Sequence, residues 1–280
     1  MPEVPFKLAI KPNPKISLRI VHEDADLLVL DKPAGTVVQP GKGHTTDAIL
    51  NGLFALHGKL FHNLGERRDF GLLHRLDKDT SGLVLVAKMP SAYDQLRRDF
   101  EARNVDKEYL ALTAGIPASP QGVVQARLKE IITPAPDIDP HDRRDSERTI
   151  KKVVISRQGQ EAISTYQVVS QNTNPATPAA LVRVTIKTGR LHQIRAHMMF
   201  LNTPVLGDDM YQPVSTSGKP LLDLRKYGRP PRLCLHAAHL GFKHPTTGKW
   251  LHFELPLPGD IAAYAKRLGF PELPAPPTIA

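Results

Sequence analysis

Residues 74–88 read HRLDKDTSGLVLVAK. Two carboxylates, Asp77 and Asp79, stand two positions apart beside His74, Arg75, Thr80 and Ser81, and this polar run passes straight into LVLVA. The apolar part reads as a buried strand. The Asp-Thr-Ser-Gly before it is turn chemistry, because those side chains and the glycine stabilise a bend. On residue types alone the polar part is an ordinary turn. Its place against a core strand adds something: a carboxylate at the edge of a core can be tuned by partial desolvation and by a cation nearby. Asp77 is therefore the candidate for a cleft, and Asp79 and the hydroxyls are the turn formers.

Similar short strands recur along the chain. LRIVHED (18–24), LLVLDKP (27–33), KEYLALTAG (107–115), AISTYQVVS (162–170), ALVRVTIKTG (180–189), LCLHAAHLGF (233–242) and WLHFELPLP (250–258) all read as strands. In one of them Leu181, Arg183 and Thr185 alternate with Val182, Val184 and Ile186. Helical spacing predicts three helices. One spans 45–57 around Ile49, Leu53 and Leu56; one spans 91–103, with a Ser91/Asp94 capping box and Tyr93, Leu96 and Phe100 on one face; one spans 191–201. Strands outnumber helices and do not alternate strictly with them. That argues against a doubly wound sheet and for an α+β fold with a mixed, mainly antiparallel central sheet and flanking helices.

Residues 1–16 and 271–280 are Pro-rich and are expected to be loose tails around a single domain at 17–270. The charged, Pro-interrupted segment at 134–158 contains DPHDRRDSERTIKK and has no periodicity, so it reads as an exposed basic insertion.

A formal net charge of +9 favours polyanions, with a generically basic surface as the plain alternative. No apolar run approaches the roughly 20 residues that span a bilayer, and the N-terminal stretch has no apolar signal core, so a cytoplasmic protein with no membrane role is expected. Cys234 is the only cysteine, which excludes an intrachain disulfide and would make any zinc site histidine-rich.

A second rich stretch, GRLHQIRAH (189–197), follows the alternating strand and opens a helix. His192 and Arg195 are three apart and share a face, while His197 is five from His192. The i, i+4 histidine pair with an intervening glutamate that zinc hydrolases use is absent, so no metal is expected. Tyr109 sits in an alternating strand, where a tyrosine is usually core. QPGKGHTT (39–46) fails the phosphate-loop spacing and reads as a flexible basic loop around Lys42. LHAAHLGFKHPTTGKW (235–250) reads as a hairpin.

Taken in order, LLVLDKPAG (27–35), HRLDKDTSGLVLVAK (74–88), KEYLAL (107–112), GRLHQIRAHM (189–198), PVLGDDMY (204–211) and LHAAHLGFKHPTTG (235–248) resemble the RluA-type pseudouridine synthases. The resemblance extends over about 17–258 and implies that family's fold, with an active-site cleft. It implies an enzyme that isomerises uridine to pseudouridine within ribosomal or transfer RNA: the base is detached from its sugar, turned and rejoined through carbon. Asp77 matches the family's catalytic aspartate. Tyr109 matches the tyrosine that stacks on the target base, and Arg195 the arginine that pairs with the aspartate and keeps it ionised. Arg75 matches the arginine that helps displace the base from its stack. Arg190, His192, Lys42, Arg143 and Arg144 are candidate RNA contacts. No cofactor and no metal are implied, and nothing demands more than a monomer.

Two departures accompany the resemblance. The small RNA-binding domain found in front in many relatives has no counterpart in the roughly 16 residues before the match, and Gln212 replaces a family glycine. Two rival readings explain the residues less well. A catalytically inactive RNA-binding protein has no need of the Asp77, Tyr109 and Arg195 trio. A glycoside hydrolase using Asp77 and Asp79 leaves the arginines and the net charge unexplained.

Overall fold

The computed structural model describes residues 10–41, 43–134, 149–213, 223–271 and 273. In chain order the elements begin with β1 (Arg19–Glu23), β2 (Leu27–Lys32), α1 (Ile49–Leu64), β3 (Ser81–Ala87) and α2 (Pro90–Glu101). Next come β4 (Asp106–Ala114), β5 (Gln121–Pro134), β6 (Thr149–Ile155), β7 (Gln160–Asn172) and β8 (Ala179–Ile186). The chain closes with α3 (Gln193–Phe200), β9 (Leu235–Lys243), β10 (Trp250–Glu254) and α4 (Gly259–Arg267). The described residues form two compact units. The first comprises residues up to Asp106 together with Ala237–Leu255; the second comprises Lys107–His236 and the residues from Pro256 onward. The fold class is the expected mixed α+β with largely antiparallel pairing.

In the first unit the strand order is β1-β2-β3-β9, with β10 added on β9. Leu27–Leu30 and Leu83–Ala87 are no more than 1 % exposed, as the apolar run at 83–87 predicts. Burial of such side chains contributes about 1.5–3 kcal/mol each. The first helix runs 49–64 rather than 45–57 and bends at His57 (φ −137°). Its free N–H groups at Ile49 and Leu50 donate to the carbonyls of Val37 and Val38, and Asn51 Oδ1 accepts the N–H of Ala48, so neighbouring backbone and one side chain close that end. The expected Ser91/Asp94 box is not formed. Pro90 occupies the first helical position, where its fixed φ suits the helix and its missing N–H costs nothing, and Asp94 instead takes two hydrogen bonds from Arg68.

In the second unit the order is β4-β8-β7-β5-β6. Two of these strands are new relative to the sequence reading. Residues 149–155, expected as part of an exposed insertion, form β6, which pairs antiparallel with 128–134 of β5. Helix α3 packs on this hairpin and on β7, around a core of Leu128, Val153, Ala162, Ala196 and Tyr211. α4 was also unforeseen. It buries Ile261, Tyr264 and Ala265 and has Asp260 in its first turn and Lys266 and Arg267 in its last, as the helix dipole prefers. No helix among the described residues is long and apolar enough to cross a membrane.

Candidate active site

In the first unit, the 74–82 stretch is fixed by contacts that leave Asp77 half-buried at its bend. Leu73 N–H donates to Leu85 O, and His74 Nε2 accepts the N–H of Leu85 at 3.0 Å, while the imidazole stacks on Phe100 at 5.3 Å. His74 is thus a clamp between the approach to the turn and β3. The turn closes through Thr80 N–H to Asp77 O at 3.2 Å. Below it lies Lys32, with no exposed surface, whose Nζ donates to the carbonyls of Pro33, Thr36 and Lys78 at 2.7–2.9 Å. An ammonium has three N–H donors, and one of them here holds the residue next to Asp77. Gly82 has φ +118°, and a Cβ there would lie 2.2 Å from Ala237 O, so only glycine lets β3 start so close to β9. Arg75 is exposed and reaches Gln39 Oε1 at 3.2 Å.

In the second unit, Tyr109 lies on β4 opposite Val184 and is 7 % exposed. Arg195, on the first turn of α3, is buried and donates through Nε and Nη2 to the two oxygens of Asp208 at 2.6 and 3.0 Å. Its guanidinium also lies 5.0 Å from the centre of the Tyr211 ring. Asp208 accepts the N–H groups of Met210 and Tyr211 as well, so its direction is set by its own loop. Gly207 makes that loop possible: a Cβ there would lie 1.9 Å from Arg232 O. Asp208 and Tyr211 stand in PVLGDDMY (204–211), where residue type alone assigns neither a role. The available signal was a buried arginine in want of a counter-charge.

His192 precedes α3 with a left-handed backbone (φ +50°) and therefore does not continue the helical face with Arg195 as spacing suggests. The two residues meet instead at Tyr211. Val153 N–H donates to Tyr211 Oη at 2.8 Å, which leaves the hydroxyl proton for His192 Nδ1 at 3.0 Å. Gln193 ties the same corner together, accepting from Thr188 Oγ1 and Arg190 N and donating to Ile163 O and Ser164 Oγ. With the Ser164 oxygen occupied in this way, its proton is directed at His197 Nδ1, 2.9 Å away. Burial pushes the His197 imidazole down to about 4, so it is neutral. Arg190 is exposed and reaches Glu161 O. Lys42, Arg143 and Arg144 lie outside the described residues.

Asp24, Asp26 and His244 bring possible metal-ligating atoms within 4.8 Å of one another. His244 Nδ1, however, accepts the N–H groups of Thr246 and Thr247, which puts the ring proton on Nε2, facing Asp24 at 3.1 Å. A ring in that tautomer has no lone pair for an ion. Burial opposes ionisation of Asp24, yet hydrogen bonds from His22, the Asp26 and Leu27 N–H groups and His244 hold its carboxyl down to about 2. The cluster reads as a clamp on the 244–248 turn.

Residues 26–199 match the RNA pseudouridylate synthase family. An uncharacterised RNA pseudouridine synthase of Bacillus subtilis is 34 % identical over 253 residues, covering 90 % of this chain and 73 % of the relative. A ribosomal large subunit pseudouridine synthase D of Zymomonas mobilis is 36 % identical over 254 residues, with the same coverage of both chains. Among solved structures, human RNA pseudouridylate synthase domain containing 4 superposes with a TM-score of 0.67 at 30 % identity, covering 92 % of this chain and 95 % of that one. With the ordered motifs, the α+β fold and these relatives in agreement, the chain belongs to the RluA-type RNA pseudouridine synthases, a family of isomerases.

Proposed function

We propose that this chain converts specific uridines of structured RNA to pseudouridine with Asp77 as its catalytic carboxylate, and that large-subunit ribosomal RNA is the first substrate to test. The observation that carries the reading is the anchored turn at 77–80: a half-buried aspartate whose neighbour Lys78 is held by a buried lysine, with a glycine-only contact at Gly82. So much fixed structure around one carboxylate suits preorganised chemistry better than a solvent turn. The names of relatives such as the Zymomonas mobilis protein support the choice of RNA.

In this reading the target uridine leaves its stack, at a cost of a few kcal/mol. Exposed Arg75 offsets part of that cost against the RNA, and the Tyr109 ring receives the base. Arg195 supplies the buried cation of the second unit, and Asp208 aims its guanidinium by gripping it through two nitrogens. Asp208 is thus a positioning residue in the proposal. Arg190 and His192 contribute contacts to RNA.

The test is pseudouridine mapping of total RNA from cells carrying wild type, Asp77→Ala or no copy of the gene. The Asp77→Ala variant is expected to lose the modified position entirely while the purified protein still folds and binds RNA. Conversion at the wild-type rate would remove Asp77 from the chemistry. No lost position in the deletion strain would favour an RNA-binding protein without catalysis.

A further inference from the structure

One face of the β9–β10 hairpin carries none of the residues proposed for the isomerisation. Leu240 and Phe242 point into the core, at 1 % and 0 % exposure, so His239, Gly241 and Lys243 take the opposite side of β9. The antiparallel register places Glu254, His252 and Trp250 opposite these three, on the same outer side. Trp250 is 44 % exposed, and its ring centre lies 6.0 Å from that of His252, which lies 5.8 Å from that of His239. A run of three aromatic rings thus crosses an outer sheet face.

Gly241 is what leaves room among them. A Cβ at that position would lie 3.2 Å from His239 Nε2 and 3.4 Å from both His252 Nδ1 and Trp250 Nε1. Three ring nitrogens therefore border the space over one glycine. The Trp250 indole N–H has no hydrogen-bond partner among the described residues. The acid on this face, Glu254, is engaged by His239 Nδ1 at 3.3 Å, whereas Lys243 and Lys249 at the Trp250 end are exposed. Rings for stacking, ring nitrogens for polar edges and uncompensated positive charge at one end form the chemistry of a single-stranded polynucleotide site.

We propose that the outer face of β9–β10 is a second RNA-contact surface, on which a base of a single-stranded segment stacks on Trp250 while Lys243 and Lys249 meet the adjoining phosphates. The inference rests on the reading of this chain as an enzyme acting on RNA, and adds a substrate requirement: unpaired nucleotides beyond the uridine that is isomerised.

Trp250 is the only tryptophan in the chain, so indole emission reports on this face alone. Titration with a uridine-rich single-stranded RNA oligonucleotide is expected to quench it in step with binding measured independently by filter retention. Trp250→Ala is expected to weaken binding about five- to tenfold, the lower part of the range for loss of one base stack, while Trp250→Phe keeps most of the affinity. Lys243→Gln is expected to lower the slope of log K against log salt by about one. Unchanged emission at saturating RNA, or wild-type binding by Trp250→Ala, overturns the proposal. Emission that follows protein concentration without RNA also overturns it and assigns the face to a second copy of the chain. Conversion of uridine by wild type with silent emission refutes this surface alone; quenching without conversion refutes the enzymatic reading and leaves the surface standing.

Discussion

Two buried cations, one in each unit, are accommodated by opposite means. Lys32 gives its hydrogen bonds to three backbone carbonyls, one of them adjacent to Asp77. Arg195 gives two of its own to a single carboxylate, Asp208, itself 2 % exposed. Carbonyls belong to the backbone, so Lys32 fixes the path of the chain. A bidentate carboxylate fixes the orientation of a planar group, so Asp208 fixes the direction of a side chain. The first device shapes a turn, and the second aims a guanidinium. A third buried base, His197, two residues past Arg195, takes another course: it stays neutral and accepts one hydrogen bond from a serine.

Removing each partner tests that distinction. Asp208→Ala leaves Arg195 buried without its carboxylate and is expected to cost about 3–5 kcal/mol in urea unfolding. The double variant Asp208→Leu with Arg195→Met should recover most of that stability without restoring uridine conversion; failure to recover would mean that the pair is not the source of the cost. Lys32→Met is expected to destabilise by about 3 kcal/mol, because three carbonyls lose their donor. If Lys32 shapes the turn, amide exchange at Thr80, whose N–H closes it, should also accelerate.

His197 predicts a pH dependence. Its folded value, about 4, lies below the unfolded 6.5, so the unfolded chain binds the proton first as pH falls. The associated stability is complete above pH 6.5 and declines toward pH 4, by about 2 kcal/mol at pH 5. A His197→Gln variant whose stability follows the same curve as wild type would exclude this source. The smallest effect is expected from Tyr211→Phe, about 1 kcal/mol, since it deprives Val153 N–H of an acceptor and His192 Nδ1 of a donor.

The sequence was legible where burial is dense. The run at 83–87 is apolar throughout and buried throughout, and the expected Tyr93 and Leu96 face of α2 is the buried one. In β8 the alternation holds at 183–186, with Arg183 exposed, and disappears at 179–182, where every residue is buried. The β5–β6 hairpin escaped notice because long stretches of it are solvent-facing: of fourteen residues in β5 only Val124 and Leu128 are buried. Val123 and Ile132, 64 % and 69 % exposed, put apolar residues on the solvent side too, so the hydrophobic pattern gives no clean period-2 signal. The 74–82 turn was recognised from local chemistry, but what holds it was not, because Lys32 lies 46 residues from Lys78 and a lysine in a strand ordinarily reads as surface. Asp208 was missed for the same reason, since its partner lies thirteen residues away across a loop.

Neither unit is a continuous piece of chain, since β9 passes from one to the other between His236 and Ala237. The first unit's strands up to β3 are made early in synthesis, yet the strand that covers β3's far edge arrives some 150 residues later. At bacterial and eukaryotic translation rates that interval is on the order of ten seconds. During it a strand apolar from Leu83 to Ala87 has one side unpaired on the nascent chain, which is the geometry chaperones protect and aggregation exploits. The glycine contact at 82 therefore marks a closing step in biogenesis: β3 gains its second neighbour only once Ala237 has left the ribosome.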